Sequence, residues 1–351
     1  MIARVLGEIT RQGHEGKLFL LGGSTHEGWL EGLNSCVIGD PRESRWRRYV
    51  KYALLSAIAL RQFKPDVLLC ADGAALKLAR PIRSLLLHEA PIGAWFHETL
   101  QDEHISELRT ADFHLCINSA NERLLSNAAE LKGQRIYLVH NPVDVKHSSQ
   151  EITRPEREKR FLYVGRLTYE YPKNIKDLLI ALAGVGGKWK ATIIGDGPDQ
   201  KKLMNCAHRY GLTDRIEWLG WKVDPWENIE SASALVLTST VEGFPMVLSE
   251  AMARGLPCVS SDCAGARDIV ETGVNGWLYK AGQAEELAAI LEGIVTGDRQ
   301  LPESSAVRAS VSRFDSSNVV KEIIDACAAE CARRNGSPRF HNKERLDSLR
   351  P

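Results

Sequence analysis

Two glutamates, Glu242 and Glu250, bracket a segment whose residue types suit the binding of a phosphate or a sugar. The segment reads EGFPMVLSE and begins what looks like a helix. A helix N-terminus presents unpaired N–H groups and the positive end of the helix dipole, so it attracts anions. Carboxylates accept hydrogen bonds from the paired hydroxyls of sugars. The alternative is an ordinary helix start whose acids merely favour the dipole.

The residues between the two glutamates fit the same interpretation. Pro245 suits a first helical turn, where its missing N–H costs nothing, and Gly243 lets the backbone approach a ligand closely. We expect the backbone amides at the start of this helix to point at the ligand. Ligand-binding roles are therefore predicted for Gly243, Phe244, Pro245, Met246, Val247 and Leu248.

A second group of charged residues lies earlier in the chain. Arg166 follows the apolar run RFLYVG, and Lys173 comes seven positions later. An arginine fork and a lysine point charge on one loop suit a diphosphate, and they would neutralise charge that grows on a departing diphosphate group. By themselves, such pairs are usually solvated surface residues. A tight turn that begins at Gly195 (sequence GDGP) follows the next apolar run, KATII.

These residues lie at the ends of predicted strands. Short β-branched runs alternate with longer amphipathic segments, which predicts parallel sheets with crossover helices. The strands are predicted at 17–21, 66–70, 92–96, 112–117 and 135–139, and again at 160–165, 190–195, 215–220, 234–239 and 257–261.

The two series of strands predict two α/β domains. The polar segment 141–158 separates them, so we assign residues 1–150 to an N-terminal domain and 151–315 to a C-terminal domain. A helix is predicted over 316–334, and the polar tail 335–351 is expected to be flexible. Residues 2–12 already resemble a first helix, so the strand and glycine-rich turn that usually open such a domain are not apparent.

The composition of the chain argues against several classes of function. The 45 basic and 45 acidic residues balance, which argues against nucleic-acid binding. The longest apolar runs, such as ALLSAIAL, are too short to span a bilayer. The eight cysteines show no zinc-ligand spacing and fit a reduced, cytosolic protein. No Asp-x-Asp motif is seen in the predicted site, so we expect no metal site and no obligatory metal or other cofactor.

Together, these motifs resemble the retaining glycosyltransferases of family 4, which have the GT-B architecture of two Rossmann-like doubly wound domains facing a cleft. The resemblance covers roughly 17–334 and is most specific over 160–280. It implies that Arg166 and Lys173 clamp the donor pyrophosphate. It further implies that Glu250 holds the ribose hydroxyls and that Glu242 contacts the transferred sugar. The last helix is expected to cross back to the acceptor-binding N-terminal domain, as in the family.

The resemblance also assigns residues around the base and the acceptor. The base is expected near Ile194 and Trp221, for which the alternatives are plain core and a partly buried loop anchor. His97 follows the run IGAWF, and the family places a histidine here that touches the transferred sugar. The alternative is a histidine satisfied in the core or facing solvent.

The strings GWLEGLNSC and WLGWKVDPWENIESASALVLTSTVEGFPM are similar to a narrower group, the lipopolysaccharide core 1,6-galactosyltransferases. This resemblance implies UDP-galactose as donor and a lipid-linked saccharide as acceptor. The sequence alone leaves galactose and glucose equally open, and two other functions also remain: a non-catalytic sugar-nucleotide-binding protein and a GT-B epimerase.

A lipid-linked acceptor would bring the protein to a membrane. Residues 42–52, RESRWRRYVKY, combine basic and aromatic side chains ahead of an apolar run. That composition is typical of a peripheral helix on anionic headgroups, although an amphipathic helix packed on the sheet is the slightly favoured alternative. We expect a cytoplasmic protein, with peripheral contact at the inner face of the cytoplasmic membrane as the further hypothesis.

Overall fold

The computed structural model describes residues 1–24, 28–40, 45–86, 90–146 and 151–335. It divides the chain into two compact units. The first comprises 1–142 together with the residues from 316 onward, and the second comprises 143–315. The division therefore lies after Pro142, inside the polar segment 141–158, rather than at residue 150. The expected flexible tail lies outside the described residues, apart from its first residue.

The first unit contains parallel strands with helices between them. Its elements, in chain order, are α1 (Ile2–Arg11), β1 (Leu18–Leu21), β2 (Ser35–Ile38), α2 (Arg45–Phe63), β3 (Leu68–Cys70), α3 (Gly73–Leu86), β4 (Ile92–Ala94), α4 (Asp102–Leu108), β5 (Phe113–Cys116), α5 (Ser119–Asn127) and β6 (Arg135–Leu138). Strand β2 was not predicted from the sequence.

The strands of the first unit form two sheets among the described residues. Strand β1 pairs in parallel with β2, while β3 to β6 form a separate parallel sheet in chain order. Apolar residues from β1, α2, α3 and β3 still share one small core.

The second unit is one doubly wound sheet. Its elements are β7 (Lys159–Val164), α6 (Ile175–Gly184), β8 (Trp189–Ile194), α7 (Gln200–Arg209), β9 (Ile216–Gly220), β10 (Ala234–Leu237), α8 (Met246–Met252), β11 (Cys258–Ser261), β12 (Gly276–Tyr279), α9 (Ala284–Thr296) and α10 (Ser304–Ser310). Strand β12 was not predicted. Within the described range, all six strands are parallel and ordered β12-β11-β10-β7-β8-β9.

This strand order places a topological switch point between β7 and β10. The chain winds outward in one direction from β7 through β8 to β9, and in the other from β10 through β11 to β12. Loops at the carboxyl ends of the two central strands diverge there, and open α/β sheets bind ligands in the crevice so formed. The sheet is supported by a continuous core of apolar side chains from strands and helices, including Trp189, Tyr163 and Tyr279.

The last helix, α11 (Ser316–Asn335), belongs to the first unit. It packs beside α1, where Gln12 Nε2 donates a hydrogen bond to the Ser317 carbonyl at 2.9 Å. Tyr137 of β6 also reaches it, since the tyrosine hydroxyl donates to Glu330 Oε1 at 2.8 Å. The helix therefore returns to the N-terminal residues after the second unit is complete.

The cysteines are free thiols, and all except Cys36 are buried. Burial raises the pKa of Cys70, Cys116 and Cys327 to about 12, so these thiols are not nucleophiles. Within the described part of the chain, no helix is both long and apolar enough to cross a bilayer.

Candidate functional site

The loops after β7, β8 and β9 are joined by backbone hydrogen bonds. Gly165 N donates to the Ile194 carbonyl at 3.0 Å, and Gly195 N donates to the Gly220 carbonyl at 2.8 Å. Gly195 has a φ of +134°, and a Cβ there would lie 1.9 Å from the Gly165 carbonyl oxygen. Only glycine therefore permits this approach. The three strand ends form one fixed backbone platform, the platform of Gly165, Gly195 and Gly220.

The predicted diphosphate residues follow this platform. Arg166 is exposed directly after Gly165, and its carbonyl accepts a hydrogen bond from the buried Tyr163 hydroxyl at 3.0 Å. The backbone beneath Arg166 is therefore fixed while its guanidinium remains accessible. Lys173 lies further along the same loop and is partly buried.

Lys173 and Glu242 lie in direct contact at the switch point. Lys173 Nζ is 2.5 Å from Glu242 Oε1, which also accepts a hydrogen bond from Ser239 Oγ at 2.6 Å. The loops that carry them are tied together, since Thr238 Oγ1 donates to the Lys173 carbonyl and the Thr240 amide donates to the Pro172 carbonyl, both at 2.8 Å. The arrangement places a cation and a carboxylate side by side, so it can bind a phosphate oxygen and a sugar hydroxyl together.

Helix α8 carries the predicted binding segment, with differences in detail. Pro245 is the N-cap rather than a residue of the first turn, because its backbone angles are not helical. The Leu248 amide donates to the Pro245 carbonyl at 3.0 Å, so it is not available as predicted. The amides of Met246 and Val247 begin the helix, where no preceding turn supplies a carbonyl acceptor.

The side chain of Phe244 packs into the interior of the second unit. Its ring is buried and meets the Phe314 ring edge-on, with centroids 5.2 Å apart. Beside it, the Gly265 amide donates to the Glu242 carbonyl at 3.2 Å. A Cβ on Gly265 would lie 2.2 Å from the Gly243 carbonyl oxygen. The backbone of the loop before α8 is thus fixed by its contacts with Gly265.

The predicted base-binding residues differ in exposure. Ile194 ends β8 and is buried, which fits its alternative as core, although its carbonyl holds the Gly165 amide. Trp221 follows β9 and is 64% exposed, so its indole is accessible to a flat ligand. It is not the partly buried anchor that the alternative reading described.

Glu250 lies in the second turn of α8, partly buried, and faces Trp226. Trp226 Nε1 donates to Glu250 Oε2 at 3.3 Å. Sequence reasoning missed this contact, as it missed Ser239. Ser239 is the last residue of the predicted strand 234–239 and could have been found by its place at that strand's end.

His97 belongs to the first unit and follows β4. Its Nδ1 lies 3.2 Å from Asn141 Oδ1, and its ring packs edge-on against Trp95 at 4.5 Å between centroids. Because the Asn141 oxygen can only accept, Nδ1 carries the proton and Nε2 keeps a lone pair. Nε2 is buried and has no hydrogen-bond partner among the described residues.

Burial determines the charge of His97. It lowers the pKa of this imidazole from 6.5 to about 4, against a smaller raising effect of the Asn141 hydrogen bond and with a further lowering by the Met1 amino group. The neutral ring at pH 7 can therefore accept a hydroxyl hydrogen bond at Nε2. Asn141 fixes the tautomer of His97, and the sequence analysis did not predict this role.

Comparison with known proteins shows which family the chain belongs to. The model of the family "Glycosyl transferases group 1" matches residues 144–310. The chain is 34% identical to the lipopolysaccharide 1,6-galactosyltransferase of Escherichia coli over 315 residues, which cover 88% of this chain and 87% of that protein. The chain belongs to the group 1 glycosyltransferases. The corresponding protein of Salmonella typhimurium is 36% identical over 279 residues, 77% of each chain.

Solved structures support the assignment of the fold. The apo form of the lipopolysaccharide outer core galactosyltransferase WaaB has a TM-score of 0.82 and 29% identity, covering 94% of each chain. Anabaena Alr3699/HepE in complex with UDP-glucose has a TM-score of 0.75 at 21% identity, covering 93% of this chain and 94% of that one. This glycosyltransferase therefore has the GT-B fold, as the sequence predicted.

Proposed function

We propose that this glycosyltransferase transfers galactose from UDP-galactose to a saccharide of the lipopolysaccharide core, with retention of the sugar's configuration. The observation that carries the proposal is the contact of Glu242 with both Lys173 and Ser239 at the switch point. The names of the two relatives support the sugar and the acceptor. The HepE complexes with UDP and UDP-glucose support a UDP-linked donor.

Different residues of the second unit bind different parts of the donor. Arg166 and Lys173 bind the diphosphate and stabilise the negative charge that develops as it leaves. Glu250 accepts the ribose hydroxyls, and Trp221 offers an exposed ring to the base. Glu242 exchanges part of its contact with Lys173 for a hydroxyl of the sugar. Catalysis then depends mainly on position and on the stabilised leaving group.

His97 contributes from the first unit as a neutral hydrogen-bond acceptor. Its unprotonated Nε2 is suited to a hydroxyl of the transferred sugar. No protein nucleophile is assigned, so we propose attack on the same face that the diphosphate leaves, with the leaving phosphate helping to deprotonate the acceptor.

We further propose that no obligatory metal takes part, because two cationic side chains, Arg166 and Lys173, serve the diphosphate. Among the described residues, no three His, Cys, Asp or Glu side chains are grouped to hold a metal ion. Retained turnover in a chelator supports the proposal, and loss of turnover that Mg²⁺ restores contradicts it.

Peripheral contact with an anionic cytoplasmic membrane is also proposed. Of the predicted segment 42–52, residues 42–44 lie outside the described part, as do the side chains of 45–50. The next turns of α2 pack Tyr52 and Leu60 inward but leave Leu54, Leu55 and Ile58 exposed, with Leu54 62% exposed. An apolar helix face after a basic segment favours contact with anionic lipids at the inner face.

Mass spectrometry of products tests the function directly. The protein is incubated with UDP-galactose or UDP-glucose and a truncated core saccharide. We expect acceptor mass to rise by one hexose, with UDP-galactose preferred, and UDP release that requires the acceptor. UDP release or isomerisation without acceptor would favour the epimerase, and UDP binding without turnover would favour a non-catalytic protein.

A further inference from the structure

The indole of Trp226 donates a hydrogen bond to the Glu250 carboxylate. Trp226 begins a short 3₁₀ helix (Trp226–Asn228), and the side chain is buried. Its Nε1 donates to Glu250 Oε2 across a separation of 24 residues in sequence. The contact thus joins the loop after β9 to the helix after β10, which are separate parts of the sheet edge.

The backbone of Trp226 is itself fixed. The Trp226 amide donates to Asp224 Oδ1 at 2.8 Å, and Asn228 Nδ2 donates to the Asp224 carbonyl at 2.9 Å. Asp224 therefore fixes the backbone at the start of the short helix, whose N-cap is Pro225. A donor held this way directs the carboxylate at little further entropy cost.

Arg254 supports the same pair from the other side. Its guanidinium carbon lies 4.6 Å from the centre of the Trp226 ring, and its Nη1 donates to the Glu250 carbonyl at 2.9 Å. Arg254 thus stacks on the indole and ties the backbone of Glu250, without taking either oxygen of the carboxylate in these contacts.

The number of hydrogen bonds that the Glu250 carboxylate can accept indicates the role of its contact with Trp226. A carboxylate has two oxygens with about four lone-pair directions, and the indole N–H uses one on Oε2. The remaining directions suit the two adjacent hydroxyls of a ribose. A carboxylate without the indole contact could rotate, and one hydroxyl would then lose its acceptor.

We propose that Trp226 is a positioning residue that orients Glu250 toward a ribose and so makes the enzyme select ribonucleotide donors over 2′-deoxyribonucleotide donors. The proposal rests on the donor site given under the proposed function, and it adds a specificity determinant to that site. Trp226 acts through Glu250 and does not itself contact the nucleotide.

The test compares the affinities of UDP and 2′-deoxy-UDP by calorimetry. The wild-type protein should bind UDP roughly tenfold more tightly, since a hydrogen bond to a charged group is involved. Trp226→Phe keeps an aromatic ring for Arg254 and removes only the N–H donor. We expect its preference to fall to about threefold or less, with KM for the donor raised and kcat little changed.

A double-mutant cycle separates orientation from packing. In Glu250→Ala the ribose preference should be absent, and adding Trp226→Phe to it should change the preference no further. Trp226→His, which retains a ring N–H, should restore part of the preference. It also serves as the second variant if Trp226→Phe fails to fold by circular dichroism, and a complete loss of preference in a folded Trp226→His protein would overturn the proposal.

The outcomes distinguish this inference from the proposed function. If the wild-type protein does not bind UDP, the donor site itself is wrong. If it binds UDP, and Glu250→Ala loses the ribose preference while Trp226→Phe keeps it in full, the donor site stands and the role of Trp226 is refuted.

Discussion

Replacing His97 with asparagine should remove a pH-dependent part of the free energy of unfolding. Burial lowers the pKa of His97 to about 4 in the folded protein, whereas an unfolded chain has the ordinary value of 6.5. Each pH unit between these values corresponds to about 1.4 kcal/mol for one proton. The His97 contribution is therefore about 3 kcal/mol across the interval.

The sign follows from which state binds the proton. Above pH 6.5 the imidazole is neutral in both states and contributes nothing to the pH dependence. Between pH 6.5 and about 4 the unfolded chain binds a proton that the folded protein does not, so stability falls as the pH falls. The His97→Asn protein should lack this decline.

Two measurements check the reasoning. Urea unfolding at several pH values between 4.5 and 7.5 gives the difference between wild type and His97→Asn, and NMR titration of the imidazole gives its pKa directly. Asn141→Asp is the matched control, because a carboxylate beside Nδ1 should raise the pKa of His97. A His97 resonance that titrates near 6.5, with parallel stability curves for the two proteins, would refute the argument from burial.

Three further outcomes are expected. Lys173→Ala should lower kcat/KM for the donor by roughly 30-fold to several thousand-fold, the equivalent of about 2–5 kcal/mol for a lost charged contact, while Lys176→Ala, on the surface of α6, should remain near wild type. Comparable kinetics of the two variants would count against the diphosphate clamp. The protein should sediment with anionic vesicles at low salt and release at high salt, and Leu55→Glu should weaken this; absence of binding at every salt concentration contradicts the membrane hypothesis. Turnover should persist in EDTA, and a requirement for added Mg²⁺ would show that the two cations are insufficient.

The strand positions of the second unit could be predicted because the signal is local. Runs such as KATII are rich in β-branched and apolar residues and are followed by glycine, and β8 ends at Ile194, within one residue of the prediction. Strands β2 and β12 were missed because each offers a run of only three apolar residues, after Ser35 in β2 and after Gly276 in β12. Short strands gain their stability from neighbouring strands, which a local pattern does not show.

The sequence predicted which residues lie in the candidate site but not which of them contact one another. Lys173, Glu242 and Glu250 were assigned to one site, but the direct pairing of Lys173 with Glu242 depends on how the loops after β7 and β10 meet. The engaged amide of Leu248 and the indole contact of Trp226 depend on backbone angles and on tertiary packing. The spacing of residues along the chain predicts neither of these two contacts.

The platform of Gly165, Gly195 and Gly220 has a consequence for engineering. Its cross-links use backbone atoms alone, so side chains mounted on the adjoining loops can be exchanged without disturbing the framework. Trp221, exposed just beyond Gly220, is one such position. Libraries that vary Trp221 while retaining all three glycines should yield folded proteins with altered nucleobase preference, whereas libraries that vary Gly195 should yield few folded proteins.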